Sequence, residues 1–413
     1  MDKKLNRRTD IFTIIIFLCL IFIPAVLFWV TPDKKFSEDE NRSLQQMPKF
    51  SLNNLVAGKF TNSMGKYYSD QFPFRNKLVG AKTLFSYAFL INENKGAVIA
   101  KDGWLIQRFD KYSEKSIAEK SSDELGGDLT FEENMRNIKN NAGYINGFAE
   151  NIKDLYPDIN FTVAITPRKI DVMTTKLPAF FPVDRHEKYF DELNKYINQE
   201  IYFDLLEVLR SHNDEYIYYK TDHHWTTLGA YYAYAALGEK MLYGTMPKED
   251  FAIETASEDF YGTTWSKAGA KWIEPDKIEY YRTSYDDGYF IRRIENQEIS
   301  GLYDREKLNT KDKYSSFLGG ITSRISIYRG HHVSSHPEKR LLLIADSFGQ
   351  SIAPFLALHY NIEIIDTRFF NDNIYDFINE YNITNVLILT NMENLSTQNN
   401  LIKLTAKPPQ DNK

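Results

Sequence analysis

One short polar segment carries two of the side-chain types that serine-based catalysis requires. Residues 221–226 read TDHHWT, directly after a predicted strand and at the start of a predicted helix. An Asp two residues before a His on such a loop can turn back, so that the Asp222 carboxylate accepts the Nδ1–H of His224. This bond fixes the imidazole tautomer and leaves Nε2 free to act as a base. The segment therefore predicts Asp222 as an orienting carboxylate and His224 as a general base.

A second segment supplies a candidate nucleophile. Residues 341–349 read LLLIADSFG, an apolar strand followed by Ser347 at a sharp turn into a helix. This geometry exposes the Ser347 Oγ at the carboxyl end of a sheet, where α/β proteins place their sites. It also aims the first backbone N–H groups of the next helix at the group that Ser347 attacks, which predicts a partial oxyanion hole.

Each segment also has a purely structural interpretation. An isolated Asp-x-His pair is usually structural, and Asp346 with Ser347 can cap the following helix by accepting from its free N–H groups. The combination is more specific than either part, because both segments lie at strand–helix junctions of one predicted sheet.

The elements that would position these residues alternate between strand and helix. Such alternation indicates a parallel sheet with both faces covered, so we predict an α/β fold. Between about 251 and 318, many tyrosines, alternating charge and turn pairs predict a β-rich insertion. The predicted strands are 97–100, 104–107, 161–165, 216–219, 340–345, 362–366 and 385–390, and the predicted helices are 131–155, 186–199, 205–210, 226–241, 350–359 and 373–381.

The N-terminus has the pattern of a membrane anchor. Residues 11–30 carry no charge, and at ~1.5 Å rise per residue they cover the roughly 30 Å core of a bilayer. Four basic residues precede them, so the positive-inside rule places residues 1–10 in the cytoplasm and the rest outside. A cleaved signal peptide is shorter and ends in small residues, whereas this stretch ends in LFWV, which favours an uncleaved single-pass anchor. We expect residues 31–54 to form a linker and 55–413 a domain outside the cytoplasm.

Composition narrows the class of partner. The only cysteine lies inside the apolar stretch, so no disulfide holds the exported part together, which fits a bacterial surface. The whole chain has a net charge of −6, and the first ten residues contribute four basic and two acidic side chains, which leaves −8 outside. An acidic exterior argues against nucleic acid or anionic lipid headgroups as the main partner.

The two segments also carry a family resemblance. Asp222-His223-His224-Trp225 followed by Thr resembles the signature of the DHHW family, which is related to the alginate O-acetylation proteins of the AlgJ and AlgX type within the SGNH/GDSL hydrolase superfamily. Supporting segments lie along most of the chain after the anchor. They are DQFPFR at 70–75, DGWL at 102–105, GG at 319–320, DSF at 346–348, PFL at 354–356 and DTRF at 366–369.

The resemblance implies a three-layer α/β/α fold, with Ser347 as nucleophile, His224 as general base and Asp222 as the carboxylate that orients it. It also implies a membrane-bound O-acyltransferase as a partner that supplies the acyl group. Two features depart from the superfamily pattern. Ala345 replaces the Gly of Gly-Asp-Ser, and no clear Gly-x-Asn-Asp block supplies further oxyanion donors.

Other polar residues are weaker candidates. Arg168 and Lys169 follow the strand that ends near residue 165 and are candidate substrate contacts, although a surface pair is the simpler interpretation. Arg368 follows another strand, where it can contact a substrate or brace the serine loop. Trp225 can stack on a sugar, although packing is the favoured interpretation. His223 is interpreted as a structural neighbour of the motif rather than a second base.

A histidine cluster is a candidate metal site. His331, His332 and His336 are close enough in sequence to share an ion, but no Cys or carboxylate completes a ligand set. A solvated loop is the better interpretation, and we predict no metal and no cofactor.

These residues lead to one main expectation and two alternatives. The first is an O-acetyltransferase or acetylesterase, anchored outside the cytoplasm and acting on a cell-envelope or exported polysaccharide. The second is a noncatalytic polysaccharide-binding or assembly protein that keeps the fold. The third is a metal-dependent hydrolase that uses the His331 cluster.

Overall fold

The structure is a computed structural model that describes residues 2–108, 130–181, 184–284, 290–294, 297–329 and 339–407. The chain forms two compact units. The first comprises Met1–Asn94 and Gly269–Trp272, and the second comprises Lys95–Ala268 and Ile273–Lys413. Within the first unit, helices fill most of residues 52–88.

The first unit contains a long apolar helix. Its segment Thr9–Val30 has a mean hydropathy of 3.1, is not buried, and is the one helix among the described residues that is long and apolar enough to cross a membrane. At ~1.5 Å per residue these 22 residues span about 33 Å. The helix suits a membrane anchor or a signal sequence. The elements of the unit are α1 (Asp2–Val30), β1 (Phe36–Ser37), β2 (Arg42–Ser43), α2 (Leu52–Val56), α3 (Lys59–Asp70), α4 (Arg75–Ala88) and β3 (Glu93–Asn94).

The second unit contains the parallel sheet that the sequence predicts. Its elements are β4 (Ala97–Ile99), β5 (Leu105–Gln107), α5 (Phe131–Leu155), β6 (Asn160–Thr166), α6 (Lys169–Val172), α7 (Asp184–Tyr196), β7 (Tyr202–Phe203), α8 (Leu205–Arg210), α9 (Thr227–Met241), β8 (Ala252–Phe260), α10 (Thr263–Ala268), β9 (Asp276–Arg282), β10 (Phe290–Ile294), β11 (Gln297–Ser300), β12 (Arg324–Arg329), β13 (Arg340–Ala345), α11 (Gly349–Leu356), β14 (Asn361–Ile365), α12 (Ile374–Glu380), β15 (Asn385–Asn391) and α13 (Met392–Thr397).

Eight strands form the main sheet in the order β11-β10-β12-β14-β13-β15-β6-β7. The five strands from β14 to β7 run parallel, and β12, β10 and β11 extend the sheet with antiparallel pairing. Every residue of β15 is buried, and β13 is buried from Leu341 onward. A strand without an exposed face needs cover on both sides, and the helices provide it. The predicted α/β fold class is confirmed.

Two predicted features differ from the structure. The sequence predicts a strand at residues 216–219, but they contribute only an isolated bridge between Tyr218 and Trp225. The predicted β-rich insertion is split, because β8 and β9 pair with each other while β10 and β11 join the edge of the main sheet. Short apolar runs with many tyrosines occur in strands and in irregular segments alike. Whether such a run pairs, and with which strand, depends on partners far away in the sequence.

Candidate active site

Ser347 lies where β13 ends and α11 begins. The turn is held by the Asp346 carboxylate, whose Oδ1 accepts from the Phe348 N–H at 3.0 Å. Its Oδ2 accepts from the Asn391 N–H at 2.7 Å and from the Asn394 side chain at 2.8 Å. Asp346 therefore connects the carboxyl ends of β13 and β15, which fixes the position of the neighbouring serine.

The structure brings the three predicted catalytic side chains together. His224 Nε2 lies 2.7 Å from Ser347 Oγ, and His224 Nδ1 lies 2.6 Å from Asp222 Oδ1. The Asp222 Oδ1 atom also accepts from the His224 N–H at 3.0 Å, which closes the turn expected for Asp-x-His. With Nδ1–H donated to the carboxylate, Nε2 is left as an acceptor for the serine proton.

The second oxygen of Asp222 is also satisfied. Oδ2 accepts from the Thr263 N–H at 2.8 Å and from its hydroxyl at 3.1 Å. Gly262 approaches so closely that a Cβ there would clash with the Asp222 side chain. Burial by itself would raise the pKa of Asp222, but the adjacent His223 and His224 and the hydrogen bonds from His224 outweigh it and hold the pKa well below its usual value. The carboxylate is therefore ionised and immobile.

Two buried charges hold the loop that carries Asp222. The Lys169 ammonium donates to the carbonyl oxygens of Tyr219 at 2.7 Å, Lys220 at 3.2 Å and Asp222 at 2.6 Å. Asp276 accepts from the backbone N–H groups of Lys220 at 2.8 Å and Thr221 at 2.7 Å. Burial lowers the pKa of Lys169 to about 8, although Asp276 and Asp222 oppose that shift.

These contacts change the interpretation of Lys169. An ammonium group has three protons, and all three are donated to the carbonyls of this loop. The arrangement favours a positioning role for Lys169. The sequence offers Lys169 as a candidate substrate contact and favours a surface pair with Arg168, but both side chains are buried.

Tyr314 supports the imidazole from one face. Its ring stacks on the His224 ring with centroids 3.9 Å apart and an interplanar angle of 8°. Its hydroxyl lies 3.0 Å from Ser351 Oγ and donates to the Ser347 carbonyl at 3.2 Å. Tyr314 thus touches both the His224 ring and the backbone at Ser347.

Trp225 is part of the core. Its side chain is fully buried, and its Nε1–H donates to Ser351 Oγ at 2.7 Å. Stacking on a sugar, the less favoured interpretation of Trp225, is therefore wrong, because no face of the ring is accessible, and the burial fits the packing that the sequence favours.

His223 bonds to Thr263 rather than to Ser347. Its Nδ1 lies 2.9 Å from the Thr263 hydroxyl. Burial and the neighbouring His224 lower the pKa of His223 to about 3, so this ring is neutral. Ligand atoms of Asp222, His223 and His224 lie within 4.8 Å of one another, as a metal site would require. However, both ring nitrogens of His224 already contact Asp222 and Ser347, so this arrangement favours proton transfer.

The oxyanion hole differs from the expectation. The Phe348 N–H is bound by the Asp346 carboxylate, the Gly349 N–H by the Asp346 carbonyl, and the Gln350 N–H by the Ser347 carbonyl. These three N–H groups therefore serve the turn itself: the Asp346 carboxylate binds the first, and backbone carbonyls bind the other two.

The two arginines have carboxylate partners nearby in sequence. Arg168 is buried, and its guanidinium binds Asp171 at 2.8 Å while lying over the Tyr189 ring. Arg368 binds Asp366 at 2.5 Å. Arg168 and Lys169 nevertheless line a small pocket beside the site. The other residues of its lining are Gln107, His223, Phe348, Asn391 and Glu393. His331, His332 and His336 lie outside the described residues.

Several residues of the site lie in segments that carry no recognisable pattern in a single sequence. Tyr314 and Thr263 reach the triad from segments without a motif, and Asp276 is one acidic residue among many. Glu393 lies two residues after the end of β15, and this position at a strand's carboxyl end is the only indication that the sequence offers. Burial raises the pKa of Glu393 to about 7, and the nearby Lys267 and Arg168 oppose that shift.

A parallel sheet with a serine at the end of an interior strand and helices on both faces fits the SGNH-hydrolase-like α/β fold that the family resemblance implies. The DHHW protein family model matches residues 188–365, and the predicted resemblance is confirmed. No curated protein matches the chain.

Solved structures agree with this fold. A DHHW family protein from Eubacterium siraeum is 22% identical with a TM-score of 0.59, covering 77% of this chain and 98% of that protein. Bacillus cereus PatB1, with a sulfonyl adduct, is 20% identical with a TM-score of 0.56, covering 74% and 98%. The O-acetyltransferase domain of Pseudomonas putida AlgJ is 14% identical with a TM-score of 0.41, covering 74% and 93%. The first two define the fold.

Proposed function

We propose that this protein is a serine O-acyltransferase or esterase that transfers or removes acetyl groups on a cell-envelope or exported polysaccharide. The observation that carries the proposal is the continuous chain of short contacts from Asp222 through His224 to Ser347. A carboxylate, an imidazole and a hydroxyl in this order form the arrangement that activates a serine.

The reaction has two halves. His224 Nε2 takes the proton of Ser347 Oγ as that oxygen attacks the acyl carbonyl, and the imidazolium then protonates the leaving group, which produces an acyl-serine. In the second half His224 deprotonates a sugar hydroxyl, or water for the esterase, and that oxygen attacks the acyl-serine. The serine recovers its proton from the imidazolium. Asp222 stabilises the imidazolium in both halves without accepting its proton.

The proposed location is the outer face of a membrane, with α1 as an uncleaved anchor. The apolar segment Thr9–Val30 and the basic residues before it support this arrangement. We further propose a membrane-bound O-acyltransferase as the partner that supplies the acyl group, since an anchored acceptor serine stays near such a donor. A polysaccharide acceptor is proposed from the family resemblance.

The proposal can be tested with the full-length protein in detergent. Hydrolysis of a chromogenic acetate ester should fall by about 10⁴-fold or more in Ser347→Ala and His224→Ala. A sulfonyl fluoride should modify Ser347, which mass spectrometry would locate. The exposed Ser211→Ala variant is the matched control and should keep full activity. Activity that survives Ser347→Ala would exclude the proposed mechanism.

One observation favours a second candidate, a noncatalytic polysaccharide-binding or assembly protein. Because the first N–H groups of α11 are occupied, fewer backbone donors remain for an oxyanion. This alternative predicts a correctly folded wild type without esterase activity and without a sulfonyl adduct, but with retained binding to polysaccharide.

A further inference from the structure

Helix α4 in the first unit is amphipathic in the opposite sense from a helix of a water-soluble domain. Its buried residues are Gly80 and Thr83. Gly80 packs so closely that a Cβ on it would lie 2.9 Å from Lys271 Cγ. Leu78, Leu84 and Phe85 are instead exposed, and Phe85 has 67% of its surface accessible. The helix therefore directs small residues inward and large apolar residues outward, which water does not favour.

The exposed surface continues beyond the end of the helix. Phe89, Leu90 and Ile91 are also exposed, and the Phe89 ring lies 4.7 Å from that of Phe85. We call this set the α4 face, consisting of Leu78, Leu84, Phe85, Phe89, Leu90 and Ile91. Exposed apolar groups of this number mark a surface that contacts another protein or a membrane.

The net charge of the same region favours a membrane as the partner of this surface. Residues 31–94 carry nine basic and six acidic side chains, a net charge of +3, whereas residues 95–413 carry 37 basic and 48 acidic ones, a net charge of −11. Although residues 31–413 have a negative net charge as a whole, the segment directly after the apolar helix is basic. Basic residues beside a membrane helix are attracted to anionic headgroups. Lys77 and Lys82 place such charges on α4 itself.

The apolar helix and the short helices are in contact within this unit. Phe28, near the end of α1, packs against Tyr67 and Tyr68 of α3, with ring centroids 5.6 and 5.2 Å away. Tyr67 also donates to Asp33, three residues after α1 ends, at 3.0 Å. If α1 crosses a bilayer, the end of α3 lies at its surface, and α4 follows α3 after only four residues.

We propose that the α4 face lies in the lipid interface of the membrane that α1 crosses. Its leucine and phenylalanine side chains would enter the boundary between headgroups and acyl chains, and Lys77 and Lys82 would contact anionic headgroups. This arrangement rests on the proposed anchor and is independent of the acyl-transfer chemistry. In this arrangement the first unit lies on the membrane surface.

Nitroxide accessibility in the full-length protein tests this arrangement. The chain has one cysteine, Cys19, inside α1, so wild-type protein labelled there in phosphatidylcholine–phosphatidylglycerol nanodiscs reports the anchor. Phe85→Cys and Leu90→Cys, each combined with Cys19→Ser, report the α4 face. Leu155→Cys in the same background is the control, because Leu155 is an exposed leucine of the second unit.

Oxygen concentrates in lipid and a nickel chelate concentrates in water. The ratio of their effects on the spin relaxation of the nitroxide therefore measures how far the label is immersed in lipid. We expect the oxygen-to-nickel ratio at positions 85 and 90 to be several-fold above the ratio at position 155. Like the ratio at position 19, it should indicate immersion in lipid. A ratio at 85 and 90 equal to that at 155 would overturn the proposal, while the anchor would stand. Protection from both reagents would show that protein covers this face, which also overturns it. A water-like ratio at position 19 would remove the anchor and this arrangement together.

Discussion

Asp222 is the residue on which the electrostatics of the site depend most. It is buried, accepts from both the side chain and the backbone of His224, and has its pKa held well below the usual value. Its second oxygen is bound by Thr263, so the carboxylate cannot rotate away. A neutral amide at this position would favour the wrong tautomer of His224 and would no longer stabilise the imidazolium.

We therefore predict that Asp222→Asn keeps the fold and loses about 10⁴-fold in kcat for ester hydrolysis. The exposed Asp154→Asn variant serves as the control and should behave like the wild type in kcat and in thermal unfolding. A loss below tenfold would mean that Asp222 does not orient the base.

Glu393 provides a pH dependence that can be attributed to one side chain. Burial raises its pKa to about 7 in the folded protein, whereas the unfolded chain has the ordinary value of 4.5. Between these values the folded state holds a proton that the unfolded state has lost. The free energy of unfolding therefore falls as pH rises from about 4.5 to about 7, and the loss is complete above that range.

We predict that Glu393→Gln removes this component. The difference in unfolding free energy between wild type and variant should fall by up to about 3 kcal/mol across that pH range, measured by urea unfolding. The exposed Glu239→Gln variant is the control for the loss of a surface carboxylate. A Glu393→Gln difference that does not change with pH would place the Glu393 pKa at its ordinary value.

At the scale of elements, the sequence was most informative where burial is greatest. β13, α8 and α5 have the predicted bounds. The fully apolar run of β13 is typical of a buried strand, and the spacing of apolar residues in α8 and α5 is typical of a helix. Residues 216–219 read as a strand because they are apolar and aromatic. They lie in an irregular segment instead, fixed by Asp276 and Lys169, whose contacts span about 50 residues of sequence or more. Local patterns do not contain such pairings.

The loop between β8 and α10 is the clearest example of a close approach that sequence does not reveal. Gly262 lies against Asp222, and a Cβ there would meet the Asp222 Cβ and carboxylate. We predict that Gly262→Ala displaces the carboxylate and lowers kcat by about 100-fold, because a shift of roughly 1 Å in a catalytic group has this effect.

The matched control for this prediction is Gly143→Ala within α5. Its added methyl meets nothing within 4 Å, so it should leave activity unchanged and stabilise the helix by about 0.5–1 kcal/mol. Wild-type activity in Gly262→Ala would show that the loop can yield without moving Asp222.

At the scale of the whole molecule, the two units differ in the sign of their net charge and in the kind of apolar element that they contain. The first unit holds the apolar helix and a basic excess, and the second holds the buried sheet and an acidic excess. The apolar helix could be predicted from the sequence because an uncharged apolar run as long as residues 11–30 is typical of a membrane span. The outward-facing apolar side of α4 could not be predicted, because leucine and phenylalanine at helical spacing are equally typical of a helix that packs on a protein core.

The remaining alternative at this scale is a signal sequence that is removed, and mass decides between the two. We predict that the mature protein keeps its full mass of 48.2 kDa and stays in the membrane pellet after alkaline extraction. Leu20→Arg with Phe17→Arg should release part of it, because each arginine at the bilayer centre costs about 2.5–3.5 kcal/mol of insertion free energy. The same two positions substituted as Leu20→Ile and Phe17→Leu should leave it in the pellet. A mature protein that begins near Thr31 and is released by alkali would show that α1 is a signal sequence, and the second unit would then act without a tether.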